Sequence, residues 1–225
     1  MIIVTGASKG LGAAIVNRLE KKGIKTLSLA RKVNNLNTYS ISCDVSDYEQ
    51  VKSVSQIIKK KHINVTGLIN AAGVASMNLA IMTPNSITQK LIQVNLIGTI
   101  YCCQLFAPLI IKNKGGRIIN FSTIAVALGL KGESVYVASK AGVEGFSRSF
   151  AREMSDFNIN VNCLVPGPID TDLIKGVNKS VIEKLIKTQI IPKKFNTDDV
   201  SDLVELLLDN KSKSLSGQVL NIGGI

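Results

Sequence analysis

The 225-residue sequence predicts a single doubly wound α/β domain, with a mostly or wholly parallel central sheet and helices on both faces. Three observations carry that reading. Short apolar runs alternate with helix-length amphipathic segments along the chain, a glycine-rich turn joins the first such run to the first helix, and no repeat or low-complexity stretch interrupts the alternation. With 45% hydrophobic and 19% charged residues, the chain can bury one sizeable core.

The first element, Ile2-Ile3-Val4-Thr5, reads as a buried strand. The Gly6 to Gly12 turn follows it, then an amphipathic helix to about Lys22. Further strands are expected at Thr26–Ala30 and Thr38–Cys43, then a helix over Asp47–Lys60 and a strand at Thr66–Ile69. Beyond Pro84 a long helix runs to Lys112 with an irregularity around Gly98, and Gly115-Gly116 releases the strand Arg117–Phe121. A helix over Ser134–Met154 leads to the strand Ile159–Val165, which Pro166-Gly167-Pro168 stops. The last third is less regular, with helices at Ser180–Lys187 and Thr197–Leu208 and a strand at Gln218–Ile222. In such a sheet the ligand crevice lies beyond the C-terminal ends of the strands.

The 27 Lys/Arg against 16 Asp/Glu give a net charge of +11, which suits an anionic cofactor or an acidic carrier protein. The basic residues fall in scattered clusters without interleaved aromatics, so specific nucleic-acid recognition is not expected. The four cysteines show no CxxC pairing, which fits a reducing interior. Apolar sequence begins at Ile2 and meets the glycine turn too soon for a signal peptide, and no uninterrupted apolar run reaches membrane-spanning length. A cytoplasmic protein without membrane insertion is expected. The sole histidine, His62, ends a lysine run and reads as an exposed helix terminus, and no metal is expected.

The chemistry starts in the turn Thr5-Gly6-Ala7-Ser8-Lys9-Gly10-Leu11-Gly12. Glycines there allow tight curvature and close approach of a diphosphate, and the helix start supplies backbone donors and a favourable dipole. A dinucleotide is the expected ligand, held at Gly6, Ser8, Lys9, Gly10, Leu11 and Gly12. The second strand ends in Ala30 where an NAD site carries an acid, and Arg31 follows it. That favours NADP over NAD, with Arg31 and Lys9 toward the extra phosphate; the competing reading makes both solvated surface charges.

Tyr136 and Lys140 stand four apart on a predicted helix and so share one face. An ammonium beside a phenol favours its ionised form and brings its pKa toward a value useful for proton transfer. On an arbitrary helix such a pair is ordinary surface packing; after a glycine-rich dinucleotide turn it reads as chemistry. Ala138, Gly142, Gly145 and Ser149 form a small-residue stripe on the opposite side, suited to close packing within the chain or to a subunit contact.

Taken together, the chain resembles the short-chain dehydrogenase/reductase family over nearly its whole length. The resemblance rests on the Gly-rich start, Asp44, Asn70-Ala71-Ala72-Gly73, Asn95 and Tyr136-Val137-Ala138-Ser139-Lys140. It implies a Rossmann-like fold and places Asp44 and Val45 at the adenine, and Asn70, Ala71, Ala72 and Gly73 along the cofactor. Pro166, Gly167, Ile169 and Thr171 fall near the nicotinamide. It implies that Tyr136 passes the proton, that Lys140 holds the nicotinamide ribose and tunes Tyr136, and that Asn95 positions Lys140 through a water. Thr123 stands where the family carries a catalytic serine, with Ser122 the alternative if the register shifts by one. The small-residue stripe implies a homotetramer or homodimer.

Within the family the chain looks most like the 3-oxoacyl-acyl-carrier-protein reductase branch of fatty acid biosynthesis. That implies an NADPH-dependent reduction of a 3-oxoacyl thioester, with Lys112, Lys114 and Arg117 as the carrier-docking surface ahead of Thr123. Three departures stand against it: Phe157 replaces a docking arginine, residues 32–38 leave little room for the usual helix, and Asn221-Ile222-Gly223-Gly224 lacks the common acid before the paired glycines. The alternatives are an NADPH-dependent reductase of a small ketone or sugar-derived carbonyl, and a catalytically weak NADP-binding scaffold. Residues 169–191, with Leu173, Ile174, Val177, Val181, Ile182, Leu185 and Ile186, read as an apolar substrate cover or as plain helix packing.

Overall fold

The computed structural model describes residues 1–33, 39–169 and 179–224. Seven strands form one sheet: β1 (Ile2–Thr5), β2 (Thr26–Ala30), β3 (Ser40–Ser42), β4 (Gly67–Asn70), β5 (Gly116–Phe121), β6 (Ile159–Val165) and β7 (Val219–Asn221). Their order is β3-β2-β1-β4-β5-β6-β7, and every pairing is parallel. The chain therefore winds outward in both directions from β1 and β4, and the switch between those strands opens a crevice at their C-terminal ends.

Among the described residues the α-helices are α1 (Gly10–Lys21), α2 (Tyr48–Lys60), α3 (Asn85–Ile92), α4 (Gly98–Lys112), α5 (Ala125–Leu128), α6 (Ser134–Met154), α7 (Lys179–Thr188) and α8 (Thr197–Leu208). The sheet is covered on both sides, so its strands read as continuous apolar runs rather than alternating ones. Alternate side chains still divide between two cores. Ile3, Leu29, Leu68, Ile118 and Val161 pack with α2, α4 and α6, whereas Val4, Ile69, Ile119 and Leu164 pack with α1 and α8.

Helix starts follow the local sequence. The Asp47 carboxylate accepts from the Glu49 and Gln50 amides at the head of α2. Asn196 and Asp199 form a reciprocal capping box at the head of α8. Arg18 and Lys22 of α1 reach Asp202 and Glu205 of α8, which ties two neighbouring helices at the surface.

Two departures from the sequence reading have visible causes. The expected irregularity near Gly98 is a π-helical turn at Gln93–Ile97, placed so that the side chain of Asn95 is fully buried. Gly98 itself is where the Asp44-Val45 turn lies against the helix: a Cβ there would meet Val45 Cγ2 at 3.0 Å. The short helix α5 and the 3-10 turns at Ala80–Met82, Ser155–Phe157 and Asn210–Ser212 carry too few residues for periodicity to reveal. The stretch Asn85–Lys112, 28 residues in all, is long and apolar enough by composition to cross a membrane. Here Cys102, Cys103, Phe106 and Ile110 bury it in the core, while Gln93 and Asn95 interrupt its apolar run.

A buried polar chain crosses the sheet beneath the crevice. Asn70 Nδ2 donates to Asn120 Oδ1 at 2.8 Å, Asn120 Nδ2 donates to Ser147 Oγ at 2.9 Å, and Ser147 Oγ donates to the Val143 carbonyl at 2.7 Å. It fixes β4, β5 and α6 in one relative position. Replacing Asn120 with Ala leaves the Asn70 amide and the Ser147 hydroxyl without these partners. Urea denaturation is expected to show a loss of about 2–4 kcal/mol, from two buried groups at roughly 1–3 kcal/mol each less relaxation; a loss under 0.5 kcal/mol would contradict the structural role.

Candidate active site

At the crevice, backbones approach one another more closely than side chains would allow. Gly6, at φ +67°, lies against the turn after β4, where an added Cβ would stand 2.7 Å from Ala72 Cα. At Gly12 a Cβ would stand 2.4 Å from the Gly6 carbonyl oxygen. Gly10 also has a positive φ, +56°. The Ala72 amide donates to Thr5 Oγ1 at 3.1 Å, which joins the ends of β1 and β4. Helix α1 then begins at Lys9 without a side-chain cap and without an acid in its first turn. Its first amides and positive dipole end remain available to a diphosphate.

At the end of β2, Arg31 is exposed and forms no ion pair with a described residue. No carboxylate stands at Ala30, so a 2′-phosphate meets a cation there rather than a like charge. Asp44 accepts from both the amide and the hydroxyl of Ser46, which shapes the turn carrying buried Val45. On these observations the residues fit a dinucleotide, and NADP in particular.

The reactive groups come from the loop after β5 and from the first two turns of α6. Thr123 stands beside Tyr136, close enough that its side chain pulls the phenol's pKa down. One turn along, Lys140 is buried and donates from Nζ to the Phe121 carbonyl at 2.9 Å. A Cβ on Gly73 would lie 3.6 Å from that ammonium and 3.4 Å from Asn95 Oδ1, so Gly73, Lys140 and Asn95 converge. The Asn95 amide accepts from Val74 N at 2.8 Å and donates to Val74 O at 2.9 Å and to Ser139 Oγ at 3.0 Å. Asn95 thus staples the loop after β4 to α6.

Ser122, the alternative to Thr123, points elsewhere. It is buried and donates to Glu144 Oε1 at 2.7 Å. The Pro166 carbonyl accepts from Ile124 N at 3.2 Å, bringing Pro166, Gly167 and buried Ile169 beside the Thr123 loop. Thr171, Leu173, Ile174 and Val177 lie outside the described residues.

Burial dominates the electrostatics. The Tyr136 phenol is pushed up to about 12, chiefly by desolvation, with the Thr123 hydrogen bond pulling down and the Glu133 charge pushing up. The Lys140 ammonium, whose ordinary value is 10.5, is pulled down to about 8 by its own burial, with Cys163 opposing. The expectation that Lys140 lowers the Tyr136 pKa is therefore corrected for this arrangement: the ammonium is engaged with the Phe121 carbonyl and desolvation outweighs it.

Two further placements concern surfaces. Lys112, Lys114 and Arg117 surround the N-terminal end of β5, whereas Thr123 lies past its C-terminal end. About five strand steps of roughly 3.3 Å separate them, so this cluster is at the opposite edge of the sheet from the reactive groups. In the small-residue stripe Gly142 packs inside the subunit, where a Cβ would stand 2.8 Å from Leu96 Cδ2; Ala138, Gly145 and Ser149 are exposed.

Sequence reasoning missed three side chains here. Glu144 continues the Tyr136, Lys140 spacing by another four residues, which could have revealed it. Glu133, one turn before Tyr136, was legible on the same helical spacing. Gln189 is buried against Gly167, and nothing local in the sequence signals a contact made across such a separation.

A sequence profile described as short chain dehydrogenase matches residues 1–181. The 3-oxoacyl-[acyl-carrier-protein] reductase FabG of Staphylococcus aureus is 30% identical over 99% of this chain and 96% of its own length. Carbonyl reductase family member 4 of Xenopus laevis is 31% identical over 98% of this chain and 95% of its own. Among solved structures, the ligand-free aldohexose dehydrogenase of Thermoplasma acidophilum superposes with a TM-score of 0.89 at 29% identity, covering 99% of this chain and 92% of that one. A Beutenbergia cavernae structure holding NADP at low occupancy shares the fold, with a TM-score of 0.90 at 21% identity over 98% of this chain and 93% of that one.

The depressed Lys140 value has a consequence for stability. The unfolded chain keeps this proton up to about 10.5, while the folded chain releases it near 8. Below pH 8 the buried ammonium costs about 3 kcal/mol, and between 8 and 10.5 the unfolded state holds more protons, so stability rises with pH. Lys140→Met is expected to be the more stable protein at pH 7, by 1 to about 3 kcal/mol after the lost hydrogen bond to Phe121, with the advantage shrinking toward pH 9.5. Denaturant midpoints at pH 7 and 9.5 test this; an advantage independent of pH would refute it.

Proposed function

The chain belongs to the short chain dehydrogenase family, and we propose that it is an NADPH-dependent reductase of small, hydroxylated or sugar-derived carbonyl compounds. The observation that carries the proposal is the buried Lys140, donating to the Phe121 carbonyl one turn from Tyr136 with Thr123 alongside, at the strand ends where close-packed glycines leave room for a dinucleotide.

When bound, the nicotinamide supplies the hydride that reaches the carbonyl carbon. The chain's own residues manage the oxygen. Tyr136, protonated throughout the neutral range by virtue of its burial, donates its phenolic proton to the carbonyl oxygen as negative charge develops there. In the opposite direction the tyrosinate accepts the alcohol proton. Thr123 donates a second hydrogen bond to the same oxygen and fixes its position, while its methyl group narrows the pocket relative to serine. Lys140 spends one of three donors on the Phe121 carbonyl and has two for the hydroxyls of the cofactor ribose. Arg31 and Lys9 would hold the 2′-phosphate, Asp44 and Val45 would flank the adenine, and Pro166, Gly167 and Ile169 would border the nicotinamide. Asn95 acts by position, holding the Val74 loop against α6 next to Lys140.

Carrier-bound 3-oxoacyl thioesters form the second reading, favoured by the similarity to the Staphylococcus aureus reductase. Against it, the basic cluster once expected to dock a carrier lies at the wrong edge of the sheet, and Phe157 is exposed where that branch carries an arginine. The whole chain acts as one reductase domain, with residues 169–191 as its substrate cover. Its exposed Ala138, Gly145 and Ser149 face a second subunit in a dimer or homotetramer, and its work is cytoplasmic.

The decisive experiment follows NADPH absorbance with hydroxyacetone, fructose, acetoacetyl-coenzyme A and acetoacetyl-carrier protein. Turnover of a hydroxylated ketone with kcat/KM above that of both thioesters is expected; exclusive use of the carrier-bound thioester would overturn the assignment. On the best substrate, Tyr136→Phe is expected to reduce kcat at least ~1000-fold, since general acid catalysis and oxyanion stabilisation are lost together. Thr123→Val should cost about 100-fold and Ser122→Ala less than that. A Ser122 variant worse than the Thr123 variant would reverse the roles assigned to the two hydroxyls.

A further inference from the structure

At the N-terminal edge of the sheet, on the far side from the crevice, a cavity of about 300 Å³ opens among the beginnings of β1, β5 and β6 and the end of α8. Lys114, Arg117, Asn158 and Asn210 line it, with Ile2 and Leu208 as its apolar part. The volume is at the small end of the range for small-molecule sites. Two cations and two side-chain amides meet there, and no carboxylate is part of the lining.

Arg117 has donors to spare. Its Nη1 donates to the Gly116 carbonyl at 3.1 Å, Nη2 reaches Asn210 Oδ1 only at 3.5 Å, and Nε is buried with no acceptor among the described residues. Nε and Nη2 lie along one edge of the guanidinium, an edge suited to two oxygens of one anion. Neither Arg117 nor Lys114 forms an ion pair with a described residue. The acid next to Asn210, Asp209, accepts from the Lys211 amide at 2.7 Å. A buried guanidinium nitrogen without an acceptor is costly, and a bound anion supplies what is missing.

The backbone around the cavity is held out of its usual conformation. Lys114 has φ +64° and Asn158 has φ +56°. Asparagine adopts this region readily, whereas lysine does so at a cost just past a helix C-terminus, where glycine is the ordinary residue. The two are joined: Asn158 Nδ2 donates to Lys114 O at 3.4 Å, and Gly116 N donates to Asn158 O at 3.2 Å. A lysine standing where glycine is the easier fit points to a use for its ammonium.

We propose that this cavity is a second anion site, separate from the cofactor crevice, for a phosphate group carried free or on a small organic ester. The phosphate lies against the Lys114 ammonium and the Nε edge of Arg117, and the two cations match its charge of nearly −2 at neutral pH. The amides of Asn158 and Asn210 border it. An organic part, where there is one, covers Ile2 and Leu208.

The test is calorimetric titration with inorganic phosphate and with glycerol 3-phosphate, at constant ionic strength and with saturating NADPH so that Arg31 and the start of α1 are already occupied. A Kd of about 1 mM or below is expected for at least one of them; the tighter ligand identifies the source of the phosphate. Lys114→Gly and Arg117→Gln are expected to weaken binding at least ~10-fold, and Arg31→Ala to leave it within about twofold. Lys114→Gly also separates ligand from structure. Without phosphate its Tm is expected to equal that of the wild type or exceed it by up to about 3 °C, because glycine relieves the backbone. The rise in Tm that phosphate gives the wild type should be absent from it. No binding of either ligand, or binding lost in Arg31→Ala and kept in Lys114→Gly, would overturn the site. So would a lower Tm for Lys114→Gly with phosphate affinity unchanged, which would give Lys114 a structural role instead.

Discussion

The burial of one ammonium group organises this molecule. Lys140 sits 7% exposed at the end of two strands, where the cost of desolvation pulls its pKa to about 8. Such a group persists only where the surroundings answer its charge. The Phe121 carbonyl supplies one partner, and the space beside Gly73 is kept clear by the absence of a side chain. The loop after β4, the end of β5 and the second turn of α6 therefore converge around a single atom. The Asn70, Asn120 and Ser147 chain holds those same three elements together from beneath. Stability is given up at Lys140 and recovered below it.

The reactive face of α6 has a matching division. Tyr136 and Lys140 look into the crevice, and Glu144 continues their line into the subunit, where it binds Ser122. Two adjacent hydroxyls in the loop after β5 are thereby given different work. Ser122 anchors the loop to α6, and Thr123 is left to meet Tyr136. A β-branched residue suits that second position because its restricted χ1 holds the hydroxyl in place. With Ser122 held by a carboxylate, Thr123 needs no freedom to search for its partner.

Much of this was legible in the sequence, because the strands of a doubly covered parallel sheet are short and continuously apolar. Thr26–Ala30, Ile159–Val165, Ser134–Met154 and Thr197–Leu208 fall where the pattern places them. The Tyr136 and Lys140 pair was legible from helical spacing. Direction was harder. Composition located Lys112, Lys114 and Arg117 near Thr123 in sequence, but a strand separates its two ends in space, and only the topology reveals which end faces the crevice. The sign of the Tyr136 shift was also out of reach: proximity to an ammonium is visible in spacing, whereas desolvation depends on everything packed around the phenol. Asn95 was recognised, yet its bonds to Val74 and Ser139 depend on a π-helical turn that no periodicity announces.

The same reasoning bears on what the crevice admits. A net charge of +11 is a property of the whole surface and acts over about a Debye length, roughly 10 Å at 0.1 M salt. Selection at the reacting atoms is decided by the few groups that desolvate with the substrate. Within reach of the Tyr136 phenol the described charges include the Glu133 carboxylate as well as the buried Lys140, so the mouth of the site differs in character from the basic exterior. A long-range positive field draws an anionic cofactor toward Arg31 and the start of α1. The two fields differ in range, so a basic exterior coexists with a local negative charge beside Tyr136.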